Sequence, residues 1–452
     1  MIDKKIKNKL IQITWPIFIE SILISLLGGV DIFMLGRYSD NAVAAVGVAN
    51  QLMFMVNLMF SLITAGTSIL VAQYIGYNKE NGKNNDNIIR LSGVSIGFNF
   101  LIGIILSIIM IFLGTTLLKL LNTSDELLIY GKQYIEFVGG FIFIQAISMT
   151  FTAILRPHGL TKVCMFVTLL MNIINVVLNY ILIFGHFGFE SLGVRGAAIS
   201  TTLSKFIGLI VLGIVLYRNV LKRIKLDLFK PFPKEDLKNI LKIGIPAAGE
   251  EISYNLSQLV VISFINLISI NSMATKSYIS NIASFAYLFS AALGQGASIV
   301  IGQLVGEEEN DVAHKLCLVC LKKAIIVTVS ISFVFFIFGK NILHMFTSNS
   351  EIISLGAIVL AIDLILEPGR TVNIVGINSL RAAGDVKFPV YIGIFSMWTF
   401  GVGLSYLLGI KLGLGLVGMW IGFTVDEWFR AILVYNRWNK KKWIGKSFVH
   451  KK

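Results

Sequence analysis

Apolar runs separated by short polar breaks alternate along almost the whole chain. Runs long enough to cross a hydrocarbon core of about 30 Å, roughly 20 residues as helix, lie at 11–35, 44–75, 91–118, 133–155, 163–184 and 196–217. Six more lie at 243–268, 278–302, 322–340, 353–381, 388–409 and 416–436. The pattern predicts an all-α integral membrane protein with twelve transmembrane helices, six in each half.

The two sets of six repeat one another. TAGTSILVAQYIG (Thr64 to Gly76) returns as GQGASIVIGQLVG (Gly294 to Gly306), keeping Gly66/Gly296, Ser68/Ser298, Ile69/Ile299, Gln73/Gln303 and Gly76/Gly306 at an offset of 230. The same offset relates Pro16 to Pro246 and Glu20 to Glu250, while LRPHGLTK (Leu155 to Lys162) reappears as LRAAGDVK (Leu380 to Lys387) at an offset of 225. This duplication predicts two pseudo-symmetric six-helix lobes around a central cleft, a plan shared by many secondary transporters. The N-terminal lobe is expected over 1–217 and the C-terminal lobe over 243–436. Between them Arg218 to Lys242, the one long polar stretch, contains Pro231 and Pro233 and reads as a cytoplasmic linker. Residues 437–452 read as a basic cytoplasmic tail.

Composition removes the soluble alternatives. Hydrophobic residues make up 55% of the chain and charged ones 14%, against about 25% charged in a soluble domain. Lys and Arg favour the cytoplasmic side of a membrane. With both termini cytoplasmic, 29 of the 39 Lys and Arg fall in or beside inner segments, 7 in or beside outer ones and 3 within spans. That asymmetry orients the chain as a multi-pass protein of the cell membrane. It also accounts for the net charge of +14 as a basic skirt facing anionic headgroups, so no nucleic-acid partner is expected.

The N-terminus starts like a signal peptide but runs into a full span without a small-residue cleavage site, and reads as an uncleaved first helix. Cys164, Cys317 and Cys320 lie near the cytoplasmic face, where thiols stay reduced. His314, Cys317 and Cys320 share a helical face, but structural zinc takes four ligands and no fourth is near, so no metal is expected. There is no HExxH and no serine elbow, and GYNKENGKN from Gly76 has the wrong spacing for a phosphate loop. An integral membrane enzyme therefore lacks a clustered reactive site. No cofactor is expected beyond a coupling ion, H+ or Na+.

Chemistry must then come from charges inside the spans, which are costly in lipid and mark ion or substrate paths by default. These are the acids Glu20, Asp31, Glu250, Glu251, Asp363, Glu367, Asp426 and Glu427 and the bases Lys205, Arg370 and Arg430. Asp31 follows Gly28 and Gly29 and has no complementary charge one turn away. It reads either as a proton or sodium site or as a structural acid near the outer interface. Lys205 is expected to pair with Asp31 or Glu20, or else to reach for water. Asp363, Glu367 and Arg370 share one face of a helix that Pro368 should kink. Glu367 with Arg370, and Asp426 with Arg430, are expected as structural ion pairs, leaving Asp363 the freer acid. Glu250 leads at helical spacing onto Tyr254 and Gln258, a polar stripe able to line a cleft. Asp31, Asp363, Glu367 and Glu250 are thus the candidates for ion coupling. Tyr254, Gln258, Asn175, Asn179 and Lys205 are the candidates for contact with substrate.

WPIFIESILISLLGGVDIFMLGRYSDNAVAAVGVANQ (Trp15 to Gln51) resembles the first two helices of the multidrug and toxic compound extrusion (MATE) family, and LRAAGDVKFP (Leu380 to Pro389) resembles the family's loop after helix 10. The resemblance covers the whole chain. It implies export of organic cations or other amphipathic small molecules in exchange for H+ or Na+, with Asp31 matching the family's functional Asp of helix 1; the chain is expected to act as a monomer. Members with a proton-linked N-lobe site carry Asn-x-x-x-Asp in helix 5, whereas here Asn175 is followed by Asn179. EPGRTVN, with Glu367 and Arg370, resembles a pattern in one bacterial branch. The alternative within transporters is a lipid-linked oligosaccharide flippase of the wider superfamily, which would favour a more cationic cavity.

Overall fold

The computed structural model describes residues 3–83, 85–222 and 226–449. Residues 223–225 of the expected linker and 450–452 of the expected tail lie outside the described set. Among the described residues the regular structure is all helical, as a chain in lipid requires when each backbone group must bond within its own segment. The helices are α1 (Lys4–Gly36), α2 (Asp40–Asn81), α3 (Asp86–Leu120), α4 (Asp125–Gly139), α5 (Phe143–Leu155), α6 (Thr161–Phe184) and α7 (Gly193–Asn219). They continue with α8 (Lys234–Ile268), α9 (Ile270–Gly306), α10 (Asn310–Phe346), α11 (Ser350–Ala382), α12 (Lys387–Lys411) and α13 (Gly415–Asn439).

Ten of these are each long and apolar enough to span a bilayer. α4 and α5 pass the same test only when taken together, and they are bent by 47° at the break between them. The sequence shows one apolar run there with no proline, and the bend comes from a π-helical turn at Ile135–Gly139 followed by Gly140. Such a turn and a Gly pair both loosen the regular hydrogen-bond ladder. The twelfth rod, α13, carries Asp426, Glu427, Arg430 and Arg437, and these charges dilute its apolar character. In α3 only 22% of the most apolar stretch is buried. An apolar rod so little covered by protein is built to face acyl chains.

The chain forms two compact units. One, the N-unit, is Trp15–Ile245; the other, the C-unit, holds the chain through Thr14 together with residues from Pro246 onward. The N-unit core gathers Leu35, Val46, Phe60, Met110, Tyr134, Ile135 and Ile183. The C-unit core gathers Ile265, Ile279, Leu343, Leu366, Met419 and Trp420. The linker's described end is packed on the N-unit: Asp236 accepts from Arg90 Nε at 2.6 Å, and Phe229 fills the space beside Gly93. The tail is tied to the C-unit, where Asp385 accepts from Arg437 and Lys446, both at 2.7 Å, and Trp438 stacks on Trp443 at 4.4 Å. Part of the basic skirt is therefore committed to protein carboxylates.

The division crosses two helices. The opening turns of α1 belong to the C-unit and those of α8 to the N-unit, with Pro16 and Pro246 lying at the crossings. The repeated glycines are what admit these turns. A Cβ on Gly66 would lie 2.5 Å from the carbonyl oxygen of Ile240, one on Gly244 would overlap the carbonyl of Leu62, and one on Gly296 would overlap the hydroxyl of Thr14. Gly66 and Gly296 thus recur at an offset of 230 because each receives the opening of the other repeat's first helix.

Because a backbone carbonyl cannot rotate away, Gly66→Ala and Gly244→Ala should each destabilise by about 1–3 kcal/mol, as overpacking does. Gly47, with nothing within 4 Å of its would-be Cβ, is the control and should be unchanged or stabilised as alanine. Thermal unfolding of the purified protein in detergent checks this; equal midpoints for Gly66→Ala and Gly47→Ala would rule out the close approach.

Candidate functional site

In the N-unit, Asp31 on α1 is 8% exposed and is held by neutral groups. Asn179 Nδ2 donates to its Oδ1 at 2.6 Å and Thr201 Oγ1 to its Oδ2 at 3.4 Å. The same Asn179 amide donates to Asn175 Oδ1 at 3.0 Å, and Asn175 Nδ2 donates to Thr201 Oγ1 at 3.3 Å. Asn175 and Asn179, four apart on α6, present one face to this cluster, and Thr201 reaches it from α7. Hydrogen bonds of this kind orient a carboxylate without neutralising it. Buried charge then calls for a proton or a cation. The cluster supplies oxygens from Asp31, Asn175, Asn179 and Thr201, a set suited to a hard cation, and Asn179 Oδ1 is buried without a hydrogen-bond partner.

Lys205 lies one turn beyond Thr201 on α7, within electrostatic range of Asp31. Among the described residues it forms no ion pair. Glu20 is paired instead with Arg156, whose Nη2 lies 3.1 Å from Glu20 Oε2. That arginine ends α5, in the motif LRPHG. His158, on the turn that follows, bonds the carbonyl of Ile154 at 2.8 Å. Burial pushes its imidazole below the ordinary value, so it adds no positive charge beside Arg156 at neutral pH.

The C-unit repeats the Glu20 arrangement. Arg381, at the end of α11 in the motif LRAAG, donates from Nη2 to Glu250 Oε2 at 2.7 Å. Each repeat therefore joins the Glu four residues beyond the proline inside its first helix to the Arg at the end of its fourth span. Glu250 also rests against Gly393, whose would-be Cβ is 3.2 Å from the carboxyl carbon. Glu250 is thus held by an arginine, while Tyr254, 45% exposed, lies in electrostatic range of Arg370, Glu427, Arg430 and Asp426. Gln258 is half-buried on the same helix.

Between α11 and α13 the remaining charges form one network. Glu367 accepts from Arg370, and Asp426 accepts from Arg430 Nη2 at 2.6 Å. Glu427 lies 3.1 Å from Arg430 and 3.6 Å from Arg370 and accepts from Asn373 Nδ2 at 2.7 Å. Asp426 also accepts from Ser396 on α12. Asp363, two turns before Arg370 and 4% exposed, stands apart: Trp420 Nε1 donates to its Oδ1 at 3.2 Å and no cation lies within ion-pair distance among the described residues. Among the described residues, the two buried intramembrane acids without an arginine or lysine partner are therefore Asp31 in one unit and Asp363 in the other. Sequence reasoning passed over Thr201, Trp420, Asn373 and the pairing of Arg156 and Arg381. For the arginines a signal existed, since Glu20/Glu250 and LRPHG/LRAAG recur together. His314 stacks on Trp438, and the described residues hold no group of three metal-ligating side chains.

The sequence pattern of the MatE family matches residues 16–181 and 246–407, two segments that start at the two prolines. The chain is 44% identical to the uncharacterized transporter YisQ of Bacillus subtilis, over 97% of this chain and 96% of that protein. It is 27% identical to the probable multidrug resistance protein NorM of Thermotoga maritima, over 97% and 94%. Among solved structures it shares its fold with a MATE protein in the bent conformation, at a TM-score of 0.88 and 20% identity over 98% of both chains. An outward-facing multidrug resistance MATE family transporter gives a TM-score of 0.87 at 20% identity over 96% of both.

Removing one partner of a buried ion pair leaves a desolvated charge, so Arg381→Met should lower stability by about 3 kcal/mol, while Glu250→Gln with Arg381→Met should recover much of the loss. Thermal unfolding of the single and double variants tests the pair; strictly additive losses would show that it contributes nothing.

Proposed function

Because the chain belongs to the MatE family of membrane transporters, we propose that it is a secondary active antiporter exporting organic cations or other amphipathic compounds in exchange for H+ or Na+. The observation that carries this reading is Asp31, a buried carboxylate whose hydrogen-bond donors are all neutral. Such a group binds and releases a small cation at modest cost, because no fixed arginine competes for it. Asp363 is the second candidate for the coupling ion. Glu250 and Glu367, each bonded to an arginine, are weaker candidates. Asn175, Asn179 and Lys205 in the N-unit and Tyr254 and Gln258 in the C-unit are the substrate contacts proposed.

Energetics accommodate the exchange. Moving one positive charge outward against about 100 mV, inside negative, costs about 2.3 kcal/mol, and an ion of the same charge moving inward returns it. One-for-one exchange is then electrically silent, and the chemical gradient of the coupling ion drives export. The site of action in this reading is the plasma membrane, with both termini cytoplasmic as the Lys and Arg distribution supports, and the working unit is a single chain.

Purified protein in proteoliposomes should move a fluorescent organic cation when either a proton or a sodium gradient is imposed, but not both. Asp31→Asn should cut the gradient-driven rate by roughly an order of magnitude, the scale of an ordinary coupling energy. Movement that ignores both gradients would end the antiport reading.

A further inference from the structure

Lys205 stands between two sets of neighbours in the N-unit. On one side is Asp31, within electrostatic range of the ammonium but not paired with it. On the other is a small cavity of about 30 Å³ between α2, α7 and the α4–α5 bend, which Lys205 lines together with Asn57 from α2, Gln145 from α5 and Thr202 from α7. The two places are close, because Tyr134, one turn before the lining residue Val138, is itself in electrostatic range of Asp31. Asp31, Lys205 and Tyr134 are the titratable groups that face one another there.

The cavity is complementary to an ammonium. Asn57 Oδ1 is a buried acceptor without a hydrogen-bond donor. Thr202 donates its hydroxyl proton to the carbonyl of Ala198 at 2.8 Å, which leaves its oxygen to accept. Lys205 is the one charged residue of the lining, and an ammonium carries three donors and no acceptor. A volume of this size holds about one water, and an ammonium group is no larger. Both an unmet buried acceptor and an unpaired charge in a span are costly. Movement of Lys205 towards Asn57 relieves the first, and movement towards Asp31 relieves the second.

Resting on the reading that Asp31 holds the coupling ion, we infer that Lys205 is a tethered stand-in for that ion: its ammonium lies on Asp31 while the site is empty and withdraws to Asn57 Oδ1 when the ion arrives. The carboxylate is then never bare while the protein returns empty, and the incoming ion displaces a side chain that has a second seat waiting. Asn57 is a positioning residue, acting on Asp31 only through Lys205.

The test treats the purified full-length protein in nanodiscs with dicyclohexylcarbodiimide and quantifies the zero-length Asp31–Lys205 cross-link by peptide mass spectrometry. The surface pair Lys441 and Asp311, 2.5 Å apart, is the internal standard. Asn57→Leu should raise the cross-link by up to about tenfold over the unaltered protein, the equilibrium worth of a hydrogen bond to a charged group. Asn57→Ala replaces it if the leucine variant does not fold, and Asn57→Gln, which keeps an amide acceptor, should stay near the unaltered yield. The ion that drives transport, sodium or the proton, should lower the yield relative to the standard. An absent Asp31–Lys205 cross-link in every variant while the standard forms, or a yield indifferent to the Asn57 amide or to both ions, would overturn the inference. A purely structural Asn57 would lower the melting midpoint and leave that yield unchanged. Because the cross-link is read without a gradient, a protein that shows the full pattern yet moves no organic cation under either gradient keeps the two-seat lysine and loses only the antiport reading.

Discussion

A carboxylate placed in hydrocarbon must acquire a counter-charge, and which acids have one and which do not organises this molecule. Glu20, Glu250, Glu367, Asp426 and Glu427 each meet an arginine. The pairs of Glu20 with Arg156, Glu250 with Arg381 and Glu427 with Arg370 fix helices against one another, since separating the partners would strand a charge away from water, while Glu367 and Asp426 are neutralised along their own helices. Asp31 and Asp363 have only neutral donors. The division separates scaffold from chemistry: the satisfied acids hold the spans, and the unsatisfied ones remain available to something that arrives and leaves.

The same logic explains why the duplication is visible at some positions and erased at others. The Glu and Arg of the twin pairs persist in both halves, as do the glycines that accept a crossing helix. The acids without arginines do not follow the repeat: Asp31 lies in the first helix of its half, whereas Asp363 lies in the fourth of its own. Architecture was copied, and the sites then diverged on top of it.

Much of this could be read from the residues alone. The twelve apolar runs anticipate the rods because span length and hydropathy are local properties, and the pairing of Asp426 with Arg430 is local too, set by helical spacing. The bend between α4 and α5 was hidden, since no proline marks it and a π turn depends on what packs against it. Whether Lys205 pairs at all was also illegible. Whether a lysine on α7 meets Asp31, Glu20 or neither depends on the rotation of that helix, and Arg156, placed in a loop by hydropathy, was already there to take Glu20.

The exchanged opening turns of α1 and α8 bear on how such a chain arose. A single ancestral repeat would have had an unfilled groove beside its Gly66-type glycine and an arm with nowhere of its own to dock. Two copies would have satisfied each other by trading arms, as in a swapped dimer. Joining the copies in one chain would then only have had to connect subunits that were already interdependent. Neither half is a finished object without the first turns of its sibling.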